Sequence, residues 1–240
     1  MPLFLYRGDK RSPQEISLRG GFHPRGDYAA AGPEVFSIRR HKDGPMYWAA
    51  NFASDLEHHE EGWQEIYQER LRQWTTAYVS TSKSADFARD RKDWVYKIRA
   101  TPNLINVEDT LDEFDVEEEF VALGGILWSQ VVGWISGDDF DSIAEDGPSE
   151  LTDAQIELNS AFDSTLLAET YCPYVWQPLR GEACDNNAEQ DENALVRAVR
   201  ADDLPTSAKA FMDQFGAAVR WTGSFPLIAR GTMPRVAKGS

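Results

Sequence analysis

Short runs of hydrophobic residues dominate the first 135 positions of the sequence. Most of these runs are too short for a helix, and they stop at glycine, proline or a charged residue, which is typical of β-strands. The first run passes from Leu3 to Tyr6 and ends at Arg7-Gly8-Asp9. The same pattern predicts strands over residues 77–82, 94–100, 104–107, 117–123, 126–128 and 131–135. Because short strands dominate, we predict an α+β fold with small helices at its periphery.

Helical spacing is confined to a few segments. Ser12 to Glu15 has the sequence of a capping box with proline at the first helical position, and Gly20-Gly21 would end that helix. Further helices are predicted over residues 61–74, 85–88, 151–167, 193–201 and 207–221, and a short helix or turn over 107–114. The acidic stretch 136–150 lacks this spacing, so we predict a loop there.

The formal net charge of −16 limits the possible partners. A strongly acidic protein repels the nucleic-acid backbone, so we expect no nucleic acid among them. No apolar run approaches the roughly 18 residues that a membrane span requires, so we expect no membrane span. The opening residues 1–6 are too short and lack the basic start of a signal peptide, which we expect to be absent from this sequence.

The charge is unevenly distributed along the chain. Residues 191–240 carry seven Lys and Arg against five Asp and Glu, a net charge of +2, which leaves −18 for residues 1–190. A mildly basic tail behind an acidic body indicates a separate segment. We therefore predict a main domain over residues 1–170, a connecting loop over 171–185 and a tail over 186–240.

The two cysteines, Cys172 and Cys184, lie in that connecting loop. In a cytosolic protein two thiols indicate little, whereas in a secreted protein a close pair is most simply one disulfide. The intervening residues include Pro173, Pro178 and Arg180, so we expect this loop to be extended and accessible.

Glu117 and Glu119 are the leading candidates for catalytic residues. They precede a short apolar run that ends at Gly124-Gly125, as a buried strand does. Residues two apart in a strand face the same side, so both carboxylates would project together while Glu118 points away. Such a pair suits a reaction that forms a cation, although a run of acids in an acidic chain is more often a solvated turn.

Two further motifs have both a structural and a functional interpretation. Arg7 at the end of the first strand is either a surface arginine or a residue that binds phosphate through two hydrogen bonds of its guanidinium. The hydroxyl residues Ser80-Thr81-Ser82 end another predicted strand, where they would cap the following helix or serve a site.

Arg7, Ser80-Thr81-Ser82 and Glu117-x-Glu119, in this order, resemble the three signatures of mono-ADP-ribosyltransferases of the arginine, Ser-Thr-Ser, Glu-x-Glu class. The surrounding sequence is similar to the A subunits of the cholera toxin and heat-labile enterotoxin family over roughly residues 5–135. The matching segments include Leu5-Tyr6-Arg7-x-Asp9, Gly20-Gly21-x-x-Pro24-Arg25-Gly26, Tyr78-Val79-Ser80-Thr81-Ser82 and Ala122-Leu123-Gly124-Gly125-Ile126.

The resemblance implies an ADP-ribosyltransferase fold of two small packed sheets and a partly helical C-terminal tail. It implies NAD as substrate, no metal, and transfer of ADP-ribose to an arginine. Glu119 would stabilise the positive charge that develops on the ribose, Glu117 would engage the acceptor, and Ser80 would orient Glu119. The implied NAD-binding residues are Arg7, Asp9, Ser80, Thr81, Ser82 and Glu119.

The resemblance also implies partners. The acceptor would belong to a host protein, by resemblance a heterotrimeric G protein alpha subunit, and the tail over residues 186–240 would dock on receptor-binding B subunits. A disulfide between Cys172 and Cys184 would close a loop that proteases cut near Arg180. The protein would be secreted and act inside the host cell.

The sequence departs from the family pattern in two places. Residues 27–76, where relatives have an activation loop and a histidine, match nothing, and the tail lacks a Lys-Asp-Glu-Leu-type ending. Two alternatives to the transferase remain: an NAD glycohydrolase that uses water as acceptor, and a catalytically idle receptor-binding subunit.

Overall fold

The computed structural model describes residues 3–44, 72–90, 92–113, 118–143, 148–168, 171, 174–180 and 203–229. Predictions for Glu117, Cys172, Cys184, most of the helix over residues 61–74 and the helix over 193–201 therefore lie outside the described residues. Within the described parts of the chain, no helix is both long and apolar enough to cross a membrane.

Nine short strands form two antiparallel sheets in the described residues. They are β1 (Phe4–Asp9), β2 (Gly21–Phe22), β3 (Tyr78–Ser82), β4 (Trp94–Arg99), β5 (Leu104–Asn106), β6 (Glu119–Leu123), β7 (Ile126–Leu127), β8 (Val131–Ser136) and β9 (Glu157–Leu158). The larger sheet has the order β5-β6-β3-β1-β4-β8-β9, and β2 pairs with β7 in the smaller sheet. The predicted α+β class with two sheets is confirmed, although one sheet has seven strands.

Short helices surround the sheets. They are α1 (Pro13–Leu18), α2 (residues 38–44), α3 (Ala85–Arg89), α4 (Val107–Leu111), α5 (Gly137–Ile143) and α6 (Leu204–Phe215). Single 3₁₀ turns occupy Pro33–Phe36, Trp128–Gln130, Asp153–Gln155, Ser164–Ala168, Gln177–Leu179 and Gly216–Val219. The predicted capping box of α1 is present, with Ser12 accepting from the Glu15 N–H and Glu15 accepting from the Ser12 N–H.

The central strands separate two hydrophobic clusters, because alternate residues face opposite sides of a sheet. Tyr78 and Val121 face a cluster that contains Phe36, Ile38 and much of α6. Val79 and Phe120 face the other cluster, which is built around Ile16, Phe22 and Tyr96. Residues on the Tyr78 side of β3 therefore meet the segment that enters α2.

The prediction of a loop over residues 136–150 is wrong for its first half, which forms α5. The Ser136 hydroxyl donates to Asp139 Oδ2 at 2.6 Å and accepts from the Asp139 N–H at 3.1 Å, so this pair caps the first turn. Phe140 is buried against the sheet. A single anchor of this kind leaves no repeating apolar pattern in the sequence.

The helix predicted over residues 151–167 is absent. Glu157–Leu158 pairs with β8 instead, and Leu158 is exposed. The Asn159 side-chain amide donates to the carbonyls of Trp128 at 3.0 Å and Val131 at 2.8 Å, which fixes the segment along the sheet edge. The apolar spacing of residues 151–167 therefore does not mark a helical face.

Over residues 174–180, its largest described part, the loop before the tail is neither fully extended nor fully accessible. Tyr174 forms a parallel bridge with Ile105, Gln177–Leu179 forms a 3₁₀ turn, and Leu179 is completely buried. The carbonyl of Arg180 accepts from the Arg39 N–H at 3.0 Å. The prolines suggested an open loop, but the apolar side chains between them bind the core.

The tail helix begins three residues earlier than predicted and ends at Phe215. Leu204, Ala208, Phe211 and Met212 form its buried face. Tyr174 and Trp176 contact Phe211 and Phe215 of this helix with ring centroids 4.3–6.2 Å apart. The described part of the tail is therefore packed onto the core.

Candidate active site

The candidate site lies where β1 and β3 separate. The two strands pair at Tyr6 and Ser82, and β3 continues along β6. Arg7 on β1 places Nη1 2.7 Å from the Ser80 carbonyl oxygen, so its side chain bridges the gap. Glu119 is the first residue of β6 and pairs with Ser82. Three neighbouring strands thus bring Arg7, Ser80 and Glu119 together, as the sequence predicted.

Arg7 is held from several sides but retains unused hydrogen-bonding capacity. Its Nη2 lies 3.6 Å from Asp9 Oδ2, and its guanidinium carbon lies 5.4 Å from the ring centroid of Phe22. Its Nε is buried and has no hydrogen-bond partner among the described residues. Burial lowers the pKa of Arg7, and the Asp9 charge opposes that shift. A fixed cation with an unused donor fits an anionic group such as phosphate.

Asp9 serves to fix this arrangement in the structure. Arg11 donates to both of its carboxylate oxygens, from Nε at 2.8 Å and from Nη2 at 2.6 Å, and the Arg11 N–H adds a third bond at 3.0 Å. Burial favours a higher pKa for Asp9, but the bonds from Arg11 and the charge of Arg7 hold the pKa below its usual value. The carboxylate is therefore charged and positioned beside Arg7.

Glu119 is a nearly buried carboxylate, with 13% of its side chain exposed. Burial alone would raise the pKa of Glu119, but the nearby His41, a hydrogen bond from Ser80 and the charge of Lys42 hold it below the usual value. Its Oε1 lies 3.7 Å from His41 Nε2. A buried carboxylate kept ionised in this way can stabilise a cation close to it.

His41 is the site residue that sequence reasoning missed. It lies on α2 with Nε2 2.9 Å from Ser80 Oγ and Nδ1 2.8 Å from Thr76 Oγ1. Its ring also meets that of Tyr78 edge-on, with centroids 5.4 Å apart. Both His41 and Thr76 fall in the stretch 27–76 that matched no family pattern. One histidine among four carries no local signal, so only the fold identifies it.

Thr81 and Ser82 contact the protein backbone in this structure. The Thr81 hydroxyl donates to the Phe120 carbonyl at 2.8 Å, which ties β3 to β6. Ser82 Oγ accepts from the Ser84 N–H at 3.0 Å, where the chain turns into α3. These contacts support the strand end that presents Ser80, and their predicted contact with NAD stays a prediction.

The chain turns sharply just before Glu119. Glu118 has a positive φ of 46° and forms an exposed ion pair with Lys83 at 3.0 Å. The Glu118 side chain points away from the site because the chain turns here, not because of strand alternation. Glu117 lies outside the described residues, so its place beside Glu119 stays a prediction.

A model of the heat-labile enterotoxin alpha chain family matches residues 3–173, which covers Arg7, His41, Ser80 and Glu119. The chain belongs to this family. The family of the A subunits, to which the sequence motifs pointed, is thereby confirmed.

The curated relatives of this enterotoxin-family chain are similar over its first half. The protein named NAD(+)--arginine ADP-ribosyltransferase Chelt, from Vibrio cholerae, is 31% identical over 155 residues, which cover 55% of this chain and 22% of that protein. The A chain of cholera enterotoxin, also from Vibrio cholerae, is 31% identical over 54% of this chain and 48% of its own length. The heat-labile enterotoxin A chain of Escherichia coli is 32% identical over the same shares. The match therefore spans less than half the length of each of these relatives.

Solved structures of the family share the fold. A double mutant of heat-labile enterotoxin superposes with a TM-score of 0.58 and 21% identity, over 90% of this chain and 92% of that one. Another heat-labile enterotoxin variant gives a TM-score of 0.50 with 22% identity, over 82% and 98% of the two chains. The architecture is that of the enterotoxin A fold.

Proposed function

We propose that this chain is an NAD-dependent mono-ADP-ribosyltransferase that transfers ADP-ribose to an arginine and releases nicotinamide. The observation that carries this proposal is the ionised, nearly buried Glu119, held by His41 and Ser80 beside the fixed cation Arg7. Membership of the enterotoxin family and similarity to a named NAD(+)--arginine ADP-ribosyltransferase support it.

The chemical step breaks the bond between ribose C1′ and the nicotinamide nitrogen. The bonding electrons go to the cationic nicotinamide ring, which leaves neutral, while positive charge develops on the ribose as in glycoside hydrolysis. Glu119 supplies a negative charge that requires no rearrangement at that moment. Its low pKa ensures that the charge is present at neutral pH.

Arg7 would bind an NAD phosphate through the donors that its own contacts leave free. Its guanidinium is oriented by the Ser80 carbonyl, by Asp9 and by the Phe22 ring. Arg11 keeps Asp9 in place. An anchored phosphate fixes the ribose relative to Glu119, which is the positioning that a dissociative reaction needs.

The acceptor separates the transferase from the NAD glycohydrolase. A guanidinium acceptor must lose a proton as its nitrogen bonds to C1′, and Glu117 is the group proposed to receive the cation and that proton. The net charge of −18 over residues 1–190 favours a basic acceptor. An acceptor arginine in the alpha chain of a G protein, NAD without a metal, and action inside a host cell remain parts of this proposal.

The division of the chain also remains a proposal: a catalytic domain over residues 1–170, a disulfide-closed loop over 171–185 with a cut site near Arg180, and a tail over 186–240 that docks B subunits. Burial of α6 against Tyr174 and Trp176 supports a tail that stays attached after such a cut. The Arg180 carbonyl accepts a hydrogen bond from the Arg39 N–H, so cleavage after Arg180 requires local unfolding of this segment.

The direct test compares Glu119→Gln with Glu118→Gln. Both variants lose one carboxylate from adjacent positions, but Glu118 is exposed and points away. We expect Glu119→Gln to reduce nicotinamide release by about 10²–10³-fold and Glu118→Gln to change it little. Equal rates for the two variants, or rates within about threefold of wild type for Glu119→Gln, would contradict the proposed role.

A second assay distinguishes the acceptors. Wild-type protein, NAD and agmatine, a small guanidine, should give ADP-ribosyl-agmatine by mass spectrometry. We expect Glu117→Gln to abolish this product while much of the slow NAD hydrolysis remains. Hydrolysis by the wild type without any labelled guanidine would favour the glycohydrolase, and absence of all NAD turnover would favour the idle receptor-binding protein.

A further inference from the structure

Thr76 is a buried hydroxyl residue at the entrance to β3, with 4% of its surface exposed. Its backbone N–H donates to the Arg25 carbonyl at 3.0 Å, and the next residue, Ala77, donates to the Val35 carbonyl at 2.9 Å. The position of its hydroxyl is therefore set by the backbone on both sides. That hydroxyl lies 2.8 Å from Nδ1 of His41.

The partners of the Thr76 hydroxyl favour one direction for this hydrogen bond. A threonine hydroxyl has one proton to donate and two lone pairs. The Tyr78 N–H already donates to Thr76 Oγ1 at 3.3 Å. Among the described residues, Nδ1 of His41 is the acceptor found for the Thr76 proton. If Thr76 donates to Nδ1, a neutral ring carries its single proton on Nε2.

The same direction continues to Glu119. An N–H at Nε2 would donate to Ser80 Oγ, 2.9 Å away, and would leave the Ser80 proton available for the Glu119 carboxylate. In this series of hydrogen bonds, each hydroxyl group would accept one hydrogen bond and donate the next. Hydrogen bonds in such a series strengthen one another. With the opposite tautomer, Nε2 would accept the Ser80 proton, and Ser80 would have none for Glu119.

We propose that Thr76 is a positioning residue for NAD cleavage: its hydroxyl fixes the Nε2-protonated tautomer of His41, which in turn aligns Ser80 with Glu119. This inference rests on the proposed function, but the contact itself is tested without any turnover. Thr76 touches neither Glu119 nor Arg7, so its effect passes through the imidazole ring.

The nitrogen shifts of His41 test the contact directly. The chain has four histidines, so ¹⁵N-histidine labelling with long-range proton–nitrogen correlation gives few signals, and His41→Gln identifies the one that matters. We expect the wild type at neutral pH to carry its proton on Nε2, with Nδ1 shifted by an accepted hydrogen bond. A proton on Nδ1 in the wild type would overturn the proposal, whatever the activity.

Variants of Thr76 test the consequence. Thr76→Val removes the donor at nearly constant shape, Thr76→Ser keeps it, and Thr75→Val is the matched control because its hydroxyl donates to the Gln73 carbonyl. We expect Thr76→Val to move the Nδ1 signal and to lower kcat for nicotinamide release by about five- to tenfold, with KM for NAD unchanged within about twofold. Thr76→Ser and Thr75→Val should remain close to wild type.

The outcomes separate the two proposals. A fall in kcat without a change in the His41 shifts would overturn the inference, because the effect would not pass through the ring. Unchanged kcat and shifts in Thr76→Val would overturn it equally. If no form of the protein consumes NAD, the proposed function fails, while the wild-type nitrogen shifts still decide whether Thr76 fixes the tautomer.

Discussion

The two halves of the candidate site are held in place by different kinds of interaction. Arg7, Ser80 and Glu119 lie on adjacent strands, so backbone hydrogen bonds of the large sheet set their spacing. His41 lies on α2, which belongs to no sheet. Side chains fix that helix. The Tyr78 hydroxyl donates to the Phe36 carbonyl at 2.6 Å, and the Arg39 guanidinium donates two hydrogen bonds to the Glu113 carboxylate at 2.6 and 2.7 Å.

The half of the site that α2 holds, which consists of His41 and is called the helix-held half, also depends on the tail. Phe225 contacts both Tyr28 and Phe36, with ring centroids 5.7 and 5.3 Å apart, and the Leu227 N–H donates to the Tyr28 hydroxyl at 3.2 Å. Val35, Phe36 and Ile38 share one hydrophobic cluster with α6. The place of His41 is therefore supported by distant residues of the tail. In the strand-held half (Arg7, Ser80 and Glu119) the sheet itself sets the spacing, although β3 and β6 also pack against α6 through Tyr78 and Val121.

The largest effect should come from weakening this tail support. Phe211 is completely buried and packs against Tyr174, Trp176 and Phe215. Phe211→Ala should lower the free energy of unfolding by about 3–5 kcal/mol, since it removes a buried aromatic ring and leaves a cavity.

Chemical denaturation measures this loss, with Phe87→Ala as the control. Phe87 is 46% exposed, so its truncation should cost less than about 1 kcal/mol. Equal losses of unfolding free energy in the two variants would mean that the tail helix is only loosely attached. That result would contradict the contrast between the two halves of the site.

A smaller effect is expected from Arg7→Lys in the strand-held half. Lysine keeps the charge but loses the planar fork that reaches the Ser80 carbonyl and a phosphate together. We expect KM for NAD to rise by about 10–100-fold, consistent with the loss of one charged hydrogen bond. Initial rates over a range of NAD concentrations measure it, with the exposed Arg19→Lys as control. A change in kcat at constant KM would argue against phosphate binding.

The smallest effect concerns pH. The folded-state pKa of Glu119 lies below its usual value of 4.5, so the ionised group stabilises the folded protein above that pH and loses this contribution as pH falls through the folded pKa. The stability difference between wild type and Glu119→Gln should therefore shrink as pH is lowered from about 6 to below 4.5. A difference that stays constant or grows with acidity would contradict the assigned shift.

The strand-held half was predictable because its signals are local. Arg7 and Ser80 follow short apolar runs and Glu119 begins one, and the strand period fixes which way each one points. The capping box of α1 is equally local, since Ser12 and Glu15 satisfy each other.

The helix-held half was not predictable for the opposite reason. His41 meets Thr76 and Ser80 partly because Arg40, on the same helix, reaches the Thr75 carbonyl at 2.6 Å and lies over the Trp74 ring at 4.0 Å. These contacts join positions more than 30 residues apart, and neither period nor spacing encodes them. Residues 157–159 were misread similarly, because the edge of β8 determined their conformation.

The central claim is that the two halves act as one unit through the hydrogen bond between His41 Nε2 and Ser80 Oγ, which are 2.9 Å apart. A double-mutant cycle on kcat for nicotinamide release, with His41→Ala, Ser80→Ala and the double variant, measures that coupling most directly. If the account is right, the double variant will be within about threefold of the more impaired single variant, because either change alone breaks the chain to Glu119. If the two losses multiply, the halves work independently and the account is contradicted.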